Sequence, residues 1–222
     1  MAKIRVDKLT KIFGPHPARG LAMMDAGKSN AEIRETGQAV GCADVSFEVA
    51  EGEFLVVMGL SGSGKSTLIR CLNLLNKPTR GYIFIDDEDI TGYNGEQLLK
   101  LRQQKISMVF QHFALFPHRT VVDNAAYGLE IQGVATEQRR KAANEALELV
   151  GLKGWSDSYP GQLSGGMQQR VGLARALAVK PDILLMDEAF SALDPLIRRD
   201  MQHEIIALQQ RMKKTIVFIT HD

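Results

Sequence analysis

The stretch that most constrains this 222-residue chain is Gly59-Leu60-Ser61-Gly62-Ser63-Gly64-Lys65-Ser66-Thr67. An apolar run, Glu53 to Gly59, leads into it and reads as a buried strand. The run from Lys65 to Leu75 that follows reads as a helix. Glycines between a strand and a helix let backbone N–H groups turn inward without a Cβ clash, and the helix start adds about half a positive charge. Such a loop cradles phosphate. Gly59, Ser61, Gly62, Ser63, Gly64 and Thr67 form the cradle, Lys65 reaches the β- and γ-phosphates, and the Ser66 hydroxyl is placed to ligate Mg²⁺. A merely flexible Gly/Ser loop would not need those two flanking elements.

The rest of the chain alternates in kind. Ile4–Phe13 and Ala43–Val49 read as early strands, with a Pro-broken stretch between them that holds two short helices: Ala18–Asp25, and a second capped by Ser29 or Asn30. YIFIDDEDI is a strand ending in a solvated acidic turn, and Lys105–Gln111 is a strand ending at a glutamine. Thr120 to Val150 is helical and closed twice by glycine. DILLMDE is a continuous apolar strand. Ile197, Met201, Ile205, Leu208 and Met212 recur at helical spacing, and TIVFITHD is a last strand. The alternation predicts an α/β fold with a mostly parallel sheet, an N-terminal antiparallel β portion and an α-helical subdomain. The expected bounds are one domain over 1–222, a helical insertion at 14–42 and a helical subdomain at about 112–163.

A second anion site is written into LSGGMQQRVGLARAL, where Ser164, Gly165 and Gly166 open a basic amphipathic helix with free N–H groups. In ILLMDEAFSALD a hydrophobic strand ends at Asp187 and Glu188. Asp187 is expected to hold Mg²⁺ through water, and Glu188 to orient or deprotonate an attacking water. Gln111 is expected to touch Mg²⁺ or that water, His221 to hydrogen-bond the γ-phosphate, and Asp194 to position Glu188 or to reach another subunit. Phe13 is a candidate for stacking on adenine, against the alternative of an ordinary core position. Cys42 and Cys71, far apart in sequence and without metal spacing, read as reduced, buried thiols.

With those motifs in this order, the sequence resembles the ATP-binding subunits of ABC transporters over nearly its whole length. GLSGSGKST resembles Walker A, Gln111 the Q-loop, LSGGMQQR the signature motif, ILLMDE Walker B, SALD the D-loop and His221 the switch histidine. The resemblance implies a P-loop NTPase core that hydrolyses ATP with Mg²⁺. It also implies a head-to-tail homodimer formed on ATP, in which Ser164, Gly165 and Gly166 of one copy cover the nucleotide held by the other. This accounts for two phosphate-binding helix starts in one chain.

KIFGPHP with its insertion, and SALDPLIRRDMQ, resemble the quaternary-amine importers of glycine betaine, proline or choline. That resemblance implies a transmembrane permease partner, a periplasmic or extracellular solute-binding protein acting indirectly, and a peripheral place on the cytoplasmic face of the inner membrane. Phe113, Leu115 and Phe116 are candidates for the groove that receives the permease, and His112 and His118 for structural or surface roles. An importer of another small polar solute, such as an amino acid, is a second reading. A soluble ABC ATPase acting on nucleic acid or ribosomes is a third, disfavoured by a net charge of +1 and by the short Gln111–Ser164 stretch, so no nucleic-acid partner is expected. Such importers commonly continue past the switch histidine into a regulatory region. With the chain ending at Asp222, that part is expected to be absent or truncated.

Overall fold

The computed structural model describes residues 2–111, 114–191 and 193–220. Two compact units divide the chain, one formed by 1–51 with 57–98 and the other by 52–56 with 99–220.

In chain order the first part carries β1 (Ala2–Phe13), α1 (Pro17–Asp25), α2 (Asn30–Glu35), β2 (Ala39–Ala50), β3 (Phe54–Met58), α3 (Lys65–Leu72), β4 (Arg80–Ile85), β5 (Glu88–Asp89) and α4 (Gly95–Gln104). The first unit is built on an antiparallel sheet of order β2-β1-β4-β5. β1 buries Ile4 and Val6, then Leu9 and Ile12, so its alternation skips a position. The skip is a bulge. Lys8 and Asp44 take left-handed φ angles of 47° and 51°. The Lys8 N–H donates to Ser46 Oγ (2.8 Å) and the Asp44 N–H to Thr10 Oγ1 (3.0 Å). The extra residue returns the apolar positions to the inner face. β4 passes close by because residue 81 is glycine: at its φ of 91° a Cβ would lie 2.4 Å from the Lys8 carbonyl oxygen.

Helices α1 and α2 occupy the Pro-broken stretch. Pro17 opens α1 at a position where its missing N–H costs nothing. Ser29 caps α2 by accepting from the Glu32 N–H, while the Glu32 carboxylate accepts from the Ser29 N–H at 2.8 Å. Gly20 lets α1 approach β1, since a Cβ there would meet Ile12 at 2.9 Å.

The second unit holds β6 (Ile106–Val109), α5 (Val121–Ile131), α6 (Thr136–Leu149), α7 (Gly165–Ala178), β7 (Ile183–Asp187), α8 (Pro195–Met212) and β8 (Thr215–Thr220). Its sheet has the order β3-β8-β7-β6, with β7 parallel to both β6 and β8. Every residue of β7 is buried, which is why its sequence is a continuous apolar run rather than an alternation. Leu184, Met186, Phe190, Phe218, Val171 and Leu173 belong to one core cluster with Val121, Val122 and Leu147 from the helices. Each such side chain contributes about 1.5–3 kcal/mol by leaving water.

Helices α5, α6 and α7 pack on one another. Asn124 organises the turn that enters α5. It is fully buried, and its Oδ1 accepts from the Phe116 N–H at 2.8 Å. Its Nδ2 lies at 3.0–3.1 Å from the carbonyls of Phe116, Arg119 and Thr120. Replacing Asn124 by Ala strands those groups without water, so it is expected to cost about 2 kcal/mol of unfolding free energy. Urea denaturation followed by the fluorescence of the single tryptophan, Trp155, measures this. An unchanged midpoint would show that the turn does not rely on the amide.

Candidate functional site

In the first unit, the loop between β3 and α3 is closed by its own lysine. Lys65, 7% exposed, points its ammonium back and donates to the carbonyls of Gly59 and Leu60, both at 2.8 Å. The loop is tightened by a turn in which the Ser63 N–H donates to the Leu60 carbonyl at 3.2 Å. Gly64 is the N-cap of α3 at φ 93°, and no side chain caps this helix. Its first-turn N–H groups are therefore left to an incoming anion, at the positive end of the helix. Gly64 cannot be exchanged, because a Cβ would stand 2.0 Å from the Gly41 carbonyl oxygen of β2.

An aromatic ring lies beside this helix start. A Cβ on Gly41 would fall 2.7 Å from Phe13 Cε2 and 2.8 Å from Thr67 Cγ2, so the Phe13 ring and Thr67 meet over the bare backbone of residue 41. Phe13 keeps 38% of its surface exposed, and the Lys11 ammonium lies 5.0 Å from its ring centroid. A half-exposed ring fixed next to a phosphate-type loop suits a flat base. Gly41 was not legible as a functional position, because its role is to have no side chain under a residue remote in sequence.

The second unit carries the carboxylates. Asp187 ends β7 at 1% exposed, and Glu188 follows in a left-handed conformation (φ 47°). A non-glycine residue there is strained. Glu188 is held by donating its N–H to the Ile219 carbonyl at 3.2 Å. Its carbonyl accepts from both the N–H and the hydroxyl of Ser191, each at 3.0 Å. The Ser191 hydroxyl also accepts from Gln111 Nε2 at 3.2 Å. Ser191 thus joins the glutamine at the end of one strand to the backbone of the acid at the end of another. Ser191 opens the SALD segment, where the sequence points to a role for Asp194 alone, since the partners of Ser191 come from other elements.

Ser164 is the N-cap of α7 and its hydroxyl accepts from the Met167 N–H at 3.3 Å, with Gly165 exposed and Gly166 buried in the first turn. Behind Gly166 the space is closed, because a Cβ would meet Ile197 Cγ2 at 2.9 Å. The Asp194 carboxylate caps α8, accepting from the Leu196 N–H at 3.1 Å. Within the second unit, then, Gln111, Glu188 and Ser191 are brought together, and Ser164 and Asp194 each start a helix. His221, Phe113 and His112 lie outside the described residues.

Residues 42–191 match the model of the ABC transporter family. The chain is 59% identical over its whole length to the glycine betaine/carnitine transport ATP-binding protein GbuA of Listeria monocytogenes, covering 56% of that protein. It is 55% identical over 99% of its length to the glycine betaine/proline betaine transport system ATP-binding protein ProV of Escherichia coli K12, covering 55% of it. The chain spans about half the length of the curated relatives it matches. Among solved structures it is similar to the dimeric ATP-binding cassette MJ0796 in a post-hydrolysis state bound to ADP and Pi. The TM-score is 0.81 and the identity 34%, over 99% of this chain and 88% of that one. A lysine-closed glycine loop before an uncapped helix, a strand ending in paired carboxylates, and identity of this extent agree on one assignment: the chain belongs to the ABC transporter family, among its ATP-binding proteins.

Proposed function

We propose that the chain is the ATP-hydrolysing part of an importer for a small osmoprotectant such as glycine betaine, proline or choline. The observation that carries the reading is the phosphate loop: Lys65 is poised over an uncapped helix start, beside the exposed ring of Phe13. The solute class is supported by relatives whose names specify glycine betaine, carnitine, proline betaine and trimethylamine N-oxide transport.

In this reading Gly59, Ser61, Gly62, Ser63 and Gly64 offer backbone N–H groups to the triphosphate, Lys65 and Thr67 bind it, and Phe13 stacks on the adenine. Ser66 and Asp187 are hard oxygen donors of the kind Mg²⁺ takes, and Gln111 adds a third through its amide carbonyl. When bound, the ion neutralises phosphate charge as the terminal group leaves. Glu188 orients the attacking water and takes its proton, and His221 donates to the γ-phosphate. Ser164, Gly165 and Gly166 close over the nucleotide of a second copy, with Asp194 at that junction. Loss of the γ-phosphate removes the anion they hold, so the pair loosens after hydrolysis.

No helix among the described residues is long and apolar enough to cross a membrane. In the proposed reading, movement of a solute falls to a transmembrane permease, fed by a solute-binding protein, with this chain peripheral on the cytoplasmic face. The helical part at about 112–163 is the proposed docking portion for that permease; of its apolar candidates, Leu115 is half-buried against the core cluster and Phe116 half-buried against Tyr127.

Lys65→Ala removes the cation that binds the triphosphate, so ATP affinity by calorimetry is expected to fall about 10- to 100-fold, the range for a lost hydrogen bond to a charged group. Unchanged affinity would displace the site from the loop. Glu188→Gln keeps the shape and loses the base. ATP binding is expected to persist while turnover drops by at least about 10²-fold, read by phosphate release. Hydrolysis at the parent rate would remove Glu188 from the chemistry. Ser164→Arg puts a long cation on the helix start. The protein is expected to bind ATP as a monomer but to give no ATP-dependent dimer in light scattering, and a normal dimer would refute the shared nucleotide.

A further inference from the structure

Helix α8 buries Met201, Ile205 and Leu208 along one stripe. Arg198 stands one turn before Met201 on that stripe, half-buried. A cation drawn toward a core needs acceptors, because taking it out of water without them is costly. Arg198 finds them in the loop that precedes its own helix. Its Nη2 donates to the Ser191 carbonyl at 3.3 Å and to the Leu193 carbonyl at 3.2 Å. Its backbone N–H donates to the Asp194 carbonyl at 2.8 Å. The side chain therefore starts from the closed first turn of α8 and reaches back over the segment that joins this helix to β7.

That segment has two kinds of restraint. Phe190 and Leu193 are buried, at 1% and 6% exposure, and the Leu193 N–H donates to the Phe190 carbonyl at 3.1 Å. Apolar burial is non-directional, so it holds the segment down without orienting the peptide of Ser191. The two bonds from the guanidinium are directional and charge-assisted, and they supply that orientation.

We propose that Arg198 is a positioning residue for ATP hydrolysis, acting through Ser191 to hold the main chain of Glu188, an inference that rests on the role of Glu188 given under the proposed function. The Ser191 N–H and hydroxyl both donate to the Glu188 carbonyl, each at 3.0 Å. They can do so only while the Ser191 peptide keeps its orientation, and the Arg198 bonds fix that peptide from its carbonyl side.

The strain at Glu188 makes the orientation consequential. At φ 47° this residue has a more comfortable backbone conformation to fall into as soon as its restraints loosen. Relaxation re-aims the carboxylate, and a misplacement of about 1 Å is enough to cost a catalytic group up to about 10²-fold in rate. Arg198 belongs to the second unit and the phosphate loop to the first. Its loss is therefore felt in turnover and not in the affinity of the loop for nucleotide.

The test uses the full chain, with phosphate release expressed per nucleotide site titrated by a fluorescent ATP analogue, so that a loss of folded protein is not scored as a loss of rate. Arg198→Met keeps the apolar stem and removes the donors. Its kcat is expected to fall about tenfold or more, with KM and analogue affinity within about twofold of the parent. Arg198→Gln, a polar arm too short for both carbonyls, serves where the first variant does not fold, and the same split is expected. Ser191→Ala is expected to lose kcat in the same way, and the double variant Arg198→Met/Ser191→Ala to be no slower than the slower single one by more than about twofold, because both break one chain of contacts. Parental kcat in whichever Arg198 variant folds overturns the proposal. So do losses that multiply in the double variant, or a KM that rises as kcat falls. Glu188→Gln separates the two readings. If it turns over at the parental rate, the role of Glu188 fails and this inference with it. If it is slow while the Arg198 variants are not, the role of Glu188 stands and Arg198 alone is excluded.

Discussion

The approach of one backbone carbonyl to one glycine sets the geometry of the first unit. The Gly41 oxygen on β2 lies where any side chain at position 64 would project, and residue 41 itself must be bare for Phe13 and Thr67 to meet over it. Two glycines far apart in sequence thus dock a strand of the antiparallel sheet onto the start of α3. From that single contact follow the direction of the helix, the shape of the loop before it, and the seat of the aromatic ring. A methyl group at either position could be accommodated only by moving main chain, and here main chain carries the candidate ligand donors.

The second unit solves a different problem, which is to hold an acid in an unfavourable backbone conformation at the end of a buried strand. Glu188 sits at φ 47°, a conformation that costs a non-glycine residue of order 1–3 kcal/mol and persists only where its surroundings over-determine it. Those surroundings are specific: the Ile219 carbonyl on one side, and the N–H and hydroxyl of Ser191 on the other. Gln111 joins through the same hydroxyl. A change in the rotamer or position of Gln111 therefore reaches the main chain of Glu188 through a single intermediary, without any change in the core of β7.

What could be read from the sequence was what has a period or a punctuation mark. The buried run of β7, the Ser29 and Ser164 caps, the two helices closed at Gly133 and Gly151, and the strand–loop–helix around Lys65 each have local causes, and each stands where its residues implied. The acidic segment after β4 is a tight reversal at Asp86 and Asp87, both at positive φ, which returns as β5. The β1 bulge could not be read, because it is decided by hydrogen bonds to Ser46 and Thr10 from residues far along the chain. Gly41 and the linking role of Ser191 stayed hidden for the same reason: each acquires its meaning from a neighbour supplied by another element. Asp194 carried a candidate role beyond its own helix, and its carboxylate serves first to begin α8.

The two carbonyl bonds of the Lys65 ammonium have a consequence for selectivity among anions. A newcomer does not find a bare cation. It finds one already solvated by protein oxygens at 2.8 Å, and must offer better oxygens in exchange. A halide or a singly charged oxyanion brings too little charge to make that exchange favourable, whereas a chain of phosphates brings several charged oxygens at once and engages the helix start as well. With a phosphate chain bound as proposed, the loop would thus set an entry threshold against small anions, and the two carbonyl bonds hold its form without an occupant.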